Sequence, residues 1–101
     1  MRTKTNVDLS KLKKVITSKF EIITVVCKLY NGKNYVPMIT STYDGIHMKG
    51  SKHYTHEAID LRKWDMTRPI ATTKALKHVL GKDYDVILKE THIHIEYDKK
   101  K

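Results

Sequence analysis

Cysteine is nearly absent from this chain: Cys27 is the only one. No internal disulfide can form, and no cluster of thiolates can hold a metal. Cys27 lies in the apolar run EIITVVCKLY, Glu21 to Tyr30, which predicts a buried, inert thiol and not a reactive one in an electropositive setting. Glycine and proline are scarce too, at four and two residues, with no Pro/Gly-rich linker and no repeat. No apolar stretch approaches the ~20 residues of a membrane span. The N-terminal MRTKTNVDLSKLKK is basic but lacks the apolar core of a secretory signal, so cytoplasmic synthesis is expected. Acidic residues are the minority, 11 against 20 basic, for a formal charge of +9. That balance favours an anionic partner: nucleic acid, a phosphate-rich polymer such as a bacterial wall, or a lipid surface. Aromatic side chains are not interleaved with the basic ones as in single-strand binders.

What is present suits one domain, residues 1–101, with 40% apolar residues and a single modest core. Asp8 predicts a cap for a first helix carrying Leu9, Leu12, Val15 and Ile16 on one face. Ser18 and Glu21 have capping-box spacing for a second helix to about Tyr30, although its β-branched residues also suit a strand. Val36–Thr42 reads as a strand, Tyr43–Thr55 as a loop, and Ala58–Arg62 as a second strand. Thr67 and Pro69 open a third helix to about Leu80, with Ile70, Leu76, Val79 and Leu80 inward and Gly81 as its stop. The last segment predicts a hairpin, Asp85–Lys89 and His92–Tyr97, turning at Glu90–Thr91. The order ααββαββ implies an α+β fold, helices packed on a small antiparallel sheet.

Histidines and acids cluster in two places, GSKHYTHEAIDLR (Gly50 to Arg62) and THIHIEYD (Thr91 to Asp98). His92 and His94 are two apart, so on a strand both point to one face. Imidazoles fixed in that way suit a zinc ion if another segment adds nitrogen or oxygen, and His53 and Asp60 can do so. A His–Asp–His set leaves an open position for a water that the metal acidifies towards pKa ~7. The plainer alternative is two solvent-facing strand histidines and a loop histidine.

SKHYTHEAID, Ser51 to Asp60, resembles the Ser-x-His-x-x-Gly-x-Ala-x-Asp signature of D-alanyl-D-alanine carboxypeptidase-like peptidases, the group that includes lysostaphin-type enzymes and the hedgehog signalling domain. THIHIEYD is similar to the group's closing His-x-His strand, and Met38 to Tyr54 resembles the lead-in of small phage-type members. The resemblance spans roughly Val36 to Asp98. It implies a hedgehog/DD-peptidase-like fold and Zn2+ held by His53, Asp60 and His94. It further implies metal-assisted hydrolysis of peptidoglycan cross-link or stem peptides, as carboxypeptidase or endopeptidase, in an endolysin-like protein released to the wall on lysis. Two positions depart from the pattern. His56 stands where the signature has glycine, and Thr91 stands where members often carry the acidic general base. Glu90 and His92 are then the candidates for handling the proton.

Of the remaining residues, Ser51 matches the signature serine as a hydrogen-bonding support, and Arg62 offers a cation for a substrate carboxylate. Tyr54 can line a cleft and His47 can reach metal or substrate from the loop. Two rival readings follow from the same features. One is a zinc-binding module of this fold without catalysis, which Thr91 favours. The other is a basic nucleic-acid-binding protein with incidental histidines.

Overall fold

The alternation of apolar and polar residues in AIDLR and HIHIEY becomes the two faces of one sheet. The computed structural model describes residues 1–42 and 56–99. The chain runs β1 (Arg2–Thr3), α1 (Lys14–Thr17), α2 (Phe20–Asn31), β2 (Met38–Ser41), β3 (Ala58–Arg62), α3 (Pro69–Leu80), β4 (Tyr84–Leu88) and β5 (His92–Tyr97). The strands form a five-stranded sheet in the order β1-β2-β3-β5-β4. The architecture is a small α+β domain, and its sheet is mixed where a purely antiparallel one was expected. β1 runs parallel to β2, while the other three pairings are antiparallel. β1 was not expected at all. It is two exposed residues with no alternation, held by backbone bonds from Arg2 N–H to Pro37 O (2.8 Å) and Lys4 N–H to Ile39 O (2.9 Å).

The apolar members of the strands, Ile39, Ile59, Leu61, Val86, Ile93 and Ile95, meet Ile16, Ile23, Val26, Cys27, Leu76 and Leu80 of the helices in one core. Burying side chains of this size contributes roughly 1.5–3 kcal/mol each before entropy is set against it. The β-branched run of α2 is helical, with Ile23, Val26 and Cys27 buried. Cys27 is therefore the inert thiol expected, and burial pushes its pKa up to about 12.

Three helix starts differ from expectation. The Asp8 carboxylate accepts from Ser10 N–H at 2.8 Å in a local turn, and helix begins only at Lys14. Lys19 precedes α2 with no side-chain cap, so Ser18 caps nothing. Arg68, not Thr67, occupies the cap position of α3, and its N–H donates to Asn31 Oδ1 of α2 at 2.9 Å. On α3, Leu76 and Leu80 face inward as expected, but Ile70 and Val79 are exposed. Their inward places are taken by Thr72 and Thr73, whose hydroxyls donate to the Arg68 and Pro69 carbonyls at 2.7 and 2.8 Å. Pro69 in the first turn and Gly81 (φ 84°) after the last turn bound α3 as its sequence implies. The closing hairpin turns at Glu90–Thr91, with Lys89 N–H donating to His92 O at 2.8 Å. Among the described residues, no helix is long and apolar enough to cross a membrane.

Candidate metal centre

Because Ile59, Leu61, Ile93 and Ile95 point into the core, the residues between them point to the opposite face of the sheet. Antiparallel register sets Asp60 directly across from His94 and Arg62 across from His92. Residues far apart in sequence thus meet on two paired strands, and β5 is itself flanked on its other side by β4. Asp60 and His94 are both buried, at 7% and 6% exposure, a depth at which a carboxylate needs a partner.

Their contacts form a chain. His94 Nδ1 lies 2.8 Å from Asp60 Oδ1, and His94 Nε2 lies 2.7 Å from Glu96 Oε1. The second Asp60 oxygen, Oδ2, faces His92 Nε2 at 3.5 Å, and His92 Nδ1 lies 2.9 Å from Thr91 Oγ1. Ionised carboxylates only accept, so wherever Asp60 and Glu96 are both ionised the two His94 nitrogens of the metal-free protein both donate, as in an imidazolium. Burial alone would lower its pKa, but the hydrogen bonds and charges of Asp60 and Glu96 outweigh that and raise it above the ordinary value.

Does this pair fit zinc? Histidine nitrogen and carboxylate oxygen sit about 2.0–2.2 Å from zinc, so two such atoms on a tetrahedral ion are about 3.3 Å apart. The 2.8 Å between His94 Nδ1 and Asp60 Oδ1 is a shared proton's width. Replacing that proton by the ion needs an opening of only about half an ångström on this geometry. The two donors fit. The third implied ligand, His53, lies outside the described residues, as do His47, Ser51 and Tyr54. Among the described residues, Asp85, Glu96 and Asp98 are the one set of three potential ligands whose atoms all lie within 4.8 Å of one another. Partly exposed carboxylates of this kind are common on protein surfaces, and the set carries no assignment.

A cleft of about 350 Å³ adjoins the pair, lined by Lys4, Thr40, Ser41, Asp60, Arg62, Trp64, Thr91 and His92. Arg62 stands in it with its guanidinium 4.7 Å over the Trp64 ring. His92 therefore reaches both the pair and the cleft. Glu90 is exposed in the hairpin turn and does not line the cleft. A larger hollow of about 500 Å³ between α3 and β4 includes His78 but none of the candidate residues.

His56, the residue in place of the signature glycine, has φ 61°. That is the left-handed backbone glycine adopts at least cost, and histidine tolerates it better than most residues. Its carbonyl accepts from Lys13 N–H at 3.0 Å, anchoring the approach to β3.

Glu96 was missed in the sequence, where it registers only as charge. The signal was present in the period-two series His92, His94, Glu96, which predicts one shared face. Comparison of the chain with protein-family models, with curated proteins and with solved structures found no match.

Proposed function

We propose that the protein is a small zinc-dependent peptidase of the D-alanyl-D-alanine carboxypeptidase-like kind, acting on peptidoglycan peptide. The observation that carries this reading is the buried Asp60–His94 pair beside a cleft lined by His92 and Arg62. The left-handed backbone of His56, at the one position where the signature requires glycine, supports the same resemblance. His53, Asp60 and His94 would hold the ion, which supplies Lewis acidity at the scissile carbonyl and acidifies a bound water.

The remaining chemistry belongs to the chain's own groups. His92 Nε2, held towards Asp60, is the better situated proton carrier, and its Nδ1 contact with Thr91 fixes the ring. Thr91 then has a part as an orienting hydroxyl, although it cannot itself take a proton from water at neutral pH. Glu90 is the weaker candidate because it is exposed in the turn and does not line the cleft. Arg62, stacked on Trp64, supplies a cation for a peptide carboxylate or a developing oxyanion. Thr91 in the usual base position also favours a second reading, a zinc-holding module of this fold that binds wall peptide without cutting it.

Incubating the zinc-loaded protein with purified peptidoglycan fragments separates the two. Cleavage is expected, falling about 10²–10⁴-fold in His92→Ala and little in Glu90→Gln. Intact fragments after exposure to the zinc-loaded wild type would leave only the binding module.

A further inference from the structure

Glu96 is not part of the ligand set implied above, yet it makes the shortest contact in the cluster. We infer that Glu96 is a positioning residue for the metal centre, gripping His94 at Nε2 so that Nδ1 is the nitrogen presented to the ion. This inference rests on the zinc reading and adds to it which ring nitrogen binds and what enforces that choice.

The geometry leaves little freedom. Glu96 Oε1 lies 2.7 Å from His94 Nε2, while the other ring nitrogen faces Asp60 Oδ1 at 2.8 Å. Glu96 and His94 are two apart on β5, a strand paired on both sides, so neither side chain can swing to another face without breaking a ladder. The His94 ring is therefore clamped along the line from Glu96 to Asp60. A carboxylate accepts and does not donate, so Nε2 must keep its proton. His94 Nδ1 and Asp60 Oδ1 would be the atoms that hold the ion, in place of the proton they share. Metal-bound histidines commonly donate their second N–H to a carboxylate, which fixes the tautomer and strengthens the ligand nitrogen. The carboxylates of Asp85 and Asp98 lie within 4.8 Å of that of Glu96.

A purely structural ion pair would affect folding and not zinc. The test therefore reads zinc affinity, by competition with a chromophoric chelator, in the wild type, Glu96→Ala, Glu96→Gln and Asp98→Asn. Melting temperature is followed in parallel. Glu96→Ala should bind zinc about 10–100-fold more weakly. Glu96→Gln, which keeps an acceptor oxygen, should recover most of that loss, and Asp98→Asn should bind as the wild type does. Long-range ¹H–¹⁵N spectra of the zinc-loaded wild type should give His94 a protonated Nε2 and a metal-bound Nδ1. Undiminished affinity in Glu96→Ala, or zinc on Nε2, overturns the role of Glu96 and leaves the zinc reading standing. A wild type that takes up no zinc overturns both. The ring spectrum needs no variant, so a Glu96→Ala protein that fails to fold does not shield the inference.

Discussion

His94 is the residue on which the candidate site turns. Without metal it is a buried histidine between Asp60 and Glu96, with its pKa raised because those carboxylates outweigh the cost of burial. The sign of the linkage follows from that direction. A raised folded-state pKa contributes stability that is complete below the unfolded histidine pKa and is lost as pH rises through the folded value. In the presence of a chelator, the melting temperature should therefore decline from the ordinary histidine range upward, more steeply than in His94→Gln. A chelated wild type whose profile matches His94→Gln would show that the pairing contributes nothing. Zinc should reverse the trend, since binding displaces a proton and strengthens as pH rises. At this scale the sequence was informative where period two applied. His92 and His94 could be placed on one face from spacing alone, and so could Glu96 had the series been carried one step further. Asp60 as the partner was expected from the motif resemblance; the depth of the pair was not legible, because it comes from the register of β3 against β5, which links residues 34 positions apart.

Among the elements, the two longer helices are joined by one side chain. The Asn31 carboxamide donates to Cys27 O and to Thr72 Oγ1, both at 2.9 Å, and accepts from Arg68 N–H at 2.9 Å. It thereby satisfies the last turn of α2 and the first turn of α3 together. In the sequence it reads as a helix-ending residue before Gly32, and nothing there announces its link to Arg68. The supposed Thr67 cap failed for that reason: a distant amide supplies what a local hydroxyl was expected to give. Asn31→Ala should destabilise the fold by about 1–3 kcal/mol, since it strands partly buried donors and acceptors. Chemical denaturation checks this, and an unchanged midpoint would mean that water replaces the amide at no cost. Elsewhere α3 was legible at both bounds, where Pro69 and Gly81 act through backbone geometry. The starts of α1 and α2 were less so, because Asp8 engages nearby backbone without nucleating a helix and Ser18 ends α1 instead of opening α2.

For the whole molecule, the coarse class and four of the five strands were readable, and the parallel edge strand was not. A parallel β1 of two residues leaves no periodic trace, since its partner is chosen by where α1 and α2 return the chain. The charge of +9 fits a protein that works against an anionic polymer, and it fits a cell wall and a nucleic acid equally well. What separates those readings is the metal, and so the two segments GSKHYTHEAIDLR and THIHIEYD must be tested together. The direct measurement is zinc content after purification, for the wild type beside His53→Ala and His94→Ala. The zinc site predicts one tightly held zinc per wild-type chain, and loss of it in both variants while each remains folded. Equal metal in all three proteins, or none in the wild type, would contradict it.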